Sequence, residues 1–199
     1  KLEGEYINGE IKYGIYKEYR EEHISWWKDE NILDDDIING LNNLKKVNYK
    51  VDYVFHLAAN SDIQASAKDP EVEYRNTYST TFRLLSAMRE HDVKKLFFAS
   101  TSAVYGDKRD AELDENTPNL SPISYYGAAK LGSEALISAF TYMNDMSSLV
   151  FRFPNVIGPH LTHGVIYDFM KRLSDNPNEL RILGDGNQTK PYIYVDDLV

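Results

Sequence analysis

The chain has 199 residues, 42% of them hydrophobic, and its 31 acidic and 22 basic side chains leave a formal net charge of −9. This is enough apolar material for one sizeable core, and the acidic balance argues against a general grip on nucleic acid or on an anionic membrane, since both need clustered positive charge. The absence of cysteine excludes disulfides and thiolate metal sites and is compatible with a reducing, cytoplasmic setting, and no apolar run is long enough to span a bilayer.

In chain order, "HISWW" (23–27) is a short apolar run, and "DDDIINGLNNLKKV" opens on Asp34 to Asp36 and then repeats apolar residues at helical spacing. "VDYVFHLAA" (51–59) is nearly continuous in apolar residues and predicts a strand covered on both faces, with His56 as a hydrogen-bonded core residue. After Pro70 a long amphipathic helix is expected in "EVEYRNTYSTTFRLLSAMREHDV", then a second buried strand in "KKLFFAST" (94–101). A charged, turn-rich stretch from Asp107 to Pro122 leads to a helix carrying "YYGAAKLGSE". "SLVFRFPNV" (148–156) is a third central strand stopped by Pro154, "GVIYDFMKRLSDN" is a further helix, and "ELRIL" and "PYIYV" read as short strands.

Strands alternating with helices predict an α/β fold with a parallel sheet and helices on both faces. Ligands bind such sheets at the carboxyl ends of the strands. The segments after the three central strands, "AANSD", "STSAVYG" and "PNVIGP", should therefore open onto one crevice.

The helix carrying "YYGAAKLGSE" supplies the chemistry. Each helical residue advances about 100°, so Tyr126 and Lys130 fall about 40° apart on one face while Tyr125 is turned away. An ammonium near a phenol favours the phenolate and would lower the tyrosine's pKa towards a range where it accepts a proton. Gly127, Ala128 and Ala129 leave room for a flat ligand against the helix.

Five ordered blocks, "VFHLAA", "FFASTSAVYG", "YYGAAK", "FRFPNVIGP" and "GDGNQTKPYIYVDD", resemble the extended short-chain dehydrogenase/reductase family in its nucleotide-sugar epimerase and dehydratase branch, over residues 29 to 199. Within that branch the likeness is greatest to the UDP-glucose 4-epimerases. The resemblance implies a Rossmann-like doubly wound sheet, NAD as cofactor and a nucleotide sugar, of the UDP-hexose kind, as substrate. It implies Tyr126 as catalytic acid/base, Lys130 lowering its pKa and bonding the nicotinamide ribose, and Thr101 holding the reacting sugar hydroxyl, with Ser100 and Ser102 as its neighbours. Cofactor contacts fall on Asn31 and Ile32 at the adenine, on Leu57, Ala58 and Ala59 at the strand end, on Ser100, and on Phe153 and Pro154 beside the nicotinamide. Asn76 would brace the active-site strand. Asn155 and Lys190 would contact substrate, Lys190 standing where the family often has an arginine for the diphosphate, without that residue's bidentate fork. The equivalent helices, near 71–91 and 125–145, build a homodimer interface in the family.

Reaction type is narrowed by one feature. Dehydratases of the branch usually carry acidic residues right after the active-site threonine, and here those positions are Ser102 and Ala103. Epimerisation through a keto sugar, or simple reversible oxidation, remains, alongside a non-catalytic nucleotide-binding relative. The glycines at positions 4, 9 and 14 do not have the spacing of the family's G-x-x-G-x-x-G turn. The expectation is therefore a partial NAD-binding domain over 1–158, lacking a first strand-helix-strand unit, and the start of a substrate-binding region over 159–199. His160 and His163 lack a further ligand set and read as loop residues rather than a metal site.

Overall fold

The computed structural model describes residues 51–60, 63–109, 111–182 and 184–199, together with the backbone of Tyr6–Ile7 and Glu10–Ile11. The expectations for "HISWW", for the helix after Asp34 and for Asn31 and Ile32 lie outside the described residues.

Tyr6–Ile7 (β1) and Glu10–Ile11 (β2) form a short antiparallel pair. The central sheet consists of Val54–His56 (β3), Lys95–Thr101 (β4) and Ser147–Phe153 (β5), all parallel and adjacent in the order β3-β4-β5. Between β3 and β4 run Ile63–Lys68 (α1), Glu71–Glu73 (α2), a π-helical turn Tyr74–Ser79 and Thr80–Glu90 (α3). Tyr125–Met143 (α4) joins β4 to β5. Parallel strands joined by helices are what the alternating sequence pattern dictates.

Burial along β4 alternates with a period of two, so Leu96, Phe98 and Ser100 lie beneath the helices while Phe97, Ala99 and Thr101 face the other way. The core is the layer between the sheet and helices α3 and α4, where Leu85, Met88, Leu96, Phe98 and Ile137 are almost fully buried. Among the described residues, helices cover this one face of the sheet. Phe55 and Leu57 are 67% and 69% exposed, and the far face carries a row of stacked rings, Phe55 on Phe97 at 4.5 Å and Phe151 on Phe153 at 5.4 Å between centroids. The described helices that pack on the sheet, α3 and α4, lie on one face, and aromatic stacking organises the other.

Two local expectations change. The helix expected after Pro70 is interrupted by the π-helical turn, whose wider backbone leaves the Arg75 carbonyl to accept from Thr80 Oγ1 at 3.0 Å. The described part of "ELRIL", Glu179 to Ile182, forms no strand, and the Arg181 carbonyl accepts from Arg172 Nη1 at 2.6 Å. Helix α1 carried no sequence signal strong enough to be expected.

Past Pro154 the chain continues as Asn155–Ile157 (β6), Val165–Asp175 (α5), Tyr192–Tyr194 (β7) and Val195–Leu198 (α6), with β6 and β7 parallel. The expected domain boundary at 158 falls between β6 and α5. Among the described residues, no helix is long and apolar enough to cross a membrane.

Candidate active site

Because β3, β4 and β5 are parallel, their carboxyl ends line up along one edge. The last rung of the β4–β5 ladder pairs Thr101 with Phe153, so the threonine, Phe153 and the following Pro154 are neighbours by backbone register alone. Thr101 has extended dihedrals and caps the 3-10 turn Ser102–Tyr105, its Oγ1 accepting from Ala103 N at 3.1 Å.

The first turn of α4 is fixed against that 3-10 turn. Ser124 is its N-cap, with extended dihedrals and its Oγ accepting from Gly127 N at 3.0 Å. At Gly127 a side chain would bring a Cβ within 2.7 Å of the Ala103 carbonyl oxygen, so only glycine permits this approach. The cap and the close contact set Tyr126 beside Thr101 at the strand end.

Lys130, one turn further along α4, is 2% exposed. Its Nζ donates to the Ala99 carbonyl at 2.6 Å and sits 4.7 Å from the Phe98 ring centroid and 6.0 Å from that of Tyr126. Burial pulls its pKa down to about 8, against the opposing pull of the Glu73 and Glu134 carboxylates.

Tyr126 departs from expectation in one respect. Its pKa is raised, chiefly by burial and further by the Glu73 charge, while the bond to Thr101 acts in the opposite sense. The expected lowering by Lys130 does not outweigh burial, its Nζ lying 6.0 Å from the Tyr126 ring centroid and donating to Ala99.

The remaining candidates divide. Leu57, Ala58 and Ala59 follow β3 at the carboxyl edge, Leu57 exposed and the two alanines half-buried. Ser100 is buried and its hydroxyl donates to Glu134. Asn76 lies in the π-helical turn, half-buried, and none of the hydrogen bonds among the described residues joins its side chain to β4. Asn155 is exposed and its Nδ2 donates to the Pro191 carbonyl at 3.4 Å, tying β6 to β7. Lys190 is exposed in the segment before β7, and no ion pair or hydrogen bond among the described residues links it to Thr101, Tyr126 or Lys130.

Three charged groups around the site went unnoticed in the sequence. Glu134 and Arg152 form a close pair, with Nη2 to Oε2 at 2.8 Å, and Arg152 also lies 5.1 Å from the Tyr105 ring. They border a cavity of about 630 Å³ along β5 that shares Phe153 with the site. Glu73, on α2, is 2% exposed. The i,i+4 spacing of Lys130 and Glu134 on one helix face was the only available signal. Among the described residues no group of three or more His, Asp or Glu side chains is placed to hold a metal ion.

The arrangement fits a dinucleotide. An apolar strand end at Leu57–Ala59, a small-residue helix start and a buried ammonium with two donors beyond its bond to Ala99 suit a flat ring and a ribose diol.

Comparison with known proteins agrees with this geometry. Residues 15–199 match the model of the NAD dependent epimerase/dehydratase family. The chain is 34% identical to a dTDP-D-glucose 4,6-dehydratase of Homo sapiens over 152 residues, 75% of this chain and 43% of the relative. It superposes on a crystal structure of UDP-galactose 4-epimerase with a TM-score of 0.67 and 40% identity, covering 74% of this chain and 48% of the other. It also superposes on the UDP-glucuronic acid 4-epimerase of Bacillus cereus, in complex with UDP-glucuronic acid and NAD, with a TM-score of 0.72 and 30% identity, covering 84% and 51%. The chain thus spans about half the length of the relatives it matches. Parallel strands ending at a threonine, a capped tyrosine and a buried lysine, together with a match over most of its length, mark this chain as a member of the NAD-dependent epimerase/dehydratase family.

Proposed function

We propose that the protein interconverts a nucleotide sugar, of the UDP-glucose and UDP-galactose kind, with its 4-epimer through a transient 4-keto sugar. The observation that carries this reading is the placement of Tyr126, in the first turn of α4, beside Thr101 at the carboxyl end of β4, with Lys130 on the same helix face and its Nζ 6.0 Å from the Tyr126 ring centroid. NAD, when bound, supplies the reversible hydride acceptance. Leu57, Ala58, Ala59, Phe153 and Pro154 would border it, and Lys130 would reach its ribose.

Tyr126 Oη takes the proton of the sugar hydroxyl as the keto sugar forms and returns it when the carbonyl is reduced from the other face. Thr101 Oγ1 orients the reacting oxygen. Lys130 keeps a positive charge beside the phenol, and a cationic ring brought into the cleft would add to it, offsetting the burial that holds the proton on Tyr126.

Dehydration is the second reading, favoured by the identity with the human dehydratase. The residues after Thr101 weigh against it. Ser102 and Ala103 carry no acid, and the nearby carboxylate, Glu73, is too deeply buried to reach a substrate. A homodimer through α3 and α4 is part of the proposal, supported by exposed apolar residues on both helices, Phe82 and Tyr142; a monomeric mass by sedimentation would remove it.

The test is incubation of the full-length protein with UDP-glucose and with UDP-galactose. Interconversion without net NADH is expected, and Tyr126→Phe should reduce it by about 10²–10⁴-fold. Stoichiometric NADH release, loss of water from the sugar, or full activity of the phenylalanine variant each defeats the reading.

A further inference from the structure

Glu73 is an expensive residue to place where it is. A carboxylate with 2% exposure has lost nearly all its hydration, and an apolar side chain of similar length would fill the space with less penalty. No ion pair closes on it among the described residues. Its oxygens instead accept from Asn60 Nδ2 at 2.7 Å and from Thr77 Oγ1 at 2.8 Å.

Those two partners lead to the cleft. Thr77 Oγ1 also accepts from the backbone N–H of Asn60 at 3.2 Å, so Glu73 and Thr77 together hold both the main chain and the side chain of the residue that ends the Leu57–Asn60 segment. The network continues inward through Thr81, which donates to the Thr77 carbonyl at 2.8 Å and meets His56 Nε2 at 2.9 Å. His56 lies against the Phe98 ring, 5.4 Å between centroids, and Lys130 Nζ lies 4.7 Å from the same ring. The π-helical turn sets this geometry: it follows Glu73 directly, contains Thr77, and presses Tyr78 so close to α4 that a Cβ on Gly132 would lie 3.0 Å from the ring.

We propose that Glu73 is a positioning residue of this site, pinning the turn after β3 through Asn60 and fixing a negative charge behind Tyr126 and Lys130. The proposal rests on the reading of those two residues as the proton-handling pair. The other groups facing them are His56 from β3, Glu134 on α4 itself, and Arg152 from β5, whose charge is paired with Glu134. Glu73 raises the pKa of both Tyr126 and Lys130, so removing its charge moves both titrations to lower pH together. A role confined to packing moves neither.

The experiment uses the full-length protein with ¹³C-labelled tyrosine, the Tyr126 Cζ resonance being identified by its loss in Tyr126→Phe. In Glu73→Gln, which keeps the shape and an acceptor for Asn60, Tyr126 titrates about half to one pH unit lower than in the native protein, and the pH–rate profile shifts as a whole in that direction. Glu73→Asp, which keeps the charge, stays near the native titration. Glu73→Met replaces the glutamine variant if the latter does not fold, and it also weakens NAD retention because Asn60 loses its partner. Coincident Tyr126 titrations in the native and charge-free proteins overturn the proposal. A shifted titration in a protein that turns over no nucleotide sugar leaves the proposal standing and removes the epimerase reading instead.

Discussion

Lys130 spends its shortest hydrogen bond on the carbonyl of Ala99, at 2.6 Å, and not on the tyrosine it follows by one helical turn. That bond anchors α4 to the β4 backbone two residues before Thr101. It therefore locks the distance between the helix and the strand end, and so the geometry in which Tyr126 meets the threonine. The price is burial of an ammonium, with a pKa drawn down to about 8.

The same group should set the alkaline limit of activity. Lys130 is charged below about pH 8 and neutral above it, so kcat/KM of the full-length enzyme should decline as pH rises through that value. In Lys130→Met the limb should vanish along with at least about 10²-fold of the rate. A native profile flat to pH 10 contradicts this.

Ser124 is expected to matter twice. Losing the bond from Gly127 N to its Oγ in Ser124→Ala should cost about 1 kcal/mol in urea unfolding. Because Tyr126 sits in the turn that this cap holds, turnover should fall further than KM rises. Ser124→Asp, which also caps, should retain both stability and rate.

His56 gives a pH signature in stability. Burial, reinforced by the Lys130 charge, lowers its pKa to about 4, against 6.5 for an ordinary histidine. The unfolded chain then binds the proton more readily, so stability is fully present above pH 6.5, is lost as pH falls towards 4, and changes no further below it. The loss is on the order of 3 kcal/mol. Urea midpoints at pH 7 and pH 4.5 should differ less in His56→Gln than in the native protein; an equal difference removes the assignment.

Arg152 and Glu134 support the site from behind. Their side chains are 20% and 11% exposed, so Glu134→Ala leaves a largely buried guanidinium and the Ser100 hydroxyl without their acceptor. A loss of about 2–4 kcal/mol is expected. Replacing both partners, with Glu134→Leu and Arg152→Met, should be milder than either single change, and a double-mutant cycle reads the coupling.

Much of this was legible before any coordinates. Spacing placed Tyr126 and Lys130 on one helix face and strand ends placed the segment around Thr101 at the cleft, while the family resemblance singled out Thr101 and implied the role of each. The stacking of Phe55 on Phe97 and of Phe151 on Phe153 was not legible, since it depends on the register between strands. Nor was the absence of a strand at Glu179 to Ile182, where the Arg181 carbonyl bonds Arg172 nine residues away.

Residue order determined the α/β architecture, the position of the cleft and the shared helix face of Tyr126 and Lys130, because these follow from local repeat and connection. Only the folded chain decided how those side chains are charged. Desolvation and the field of Glu73, a residue 53 positions from Tyr126 by number, depend on distances through space, and these exist only once α2, the π-helical turn and α4 have packed together.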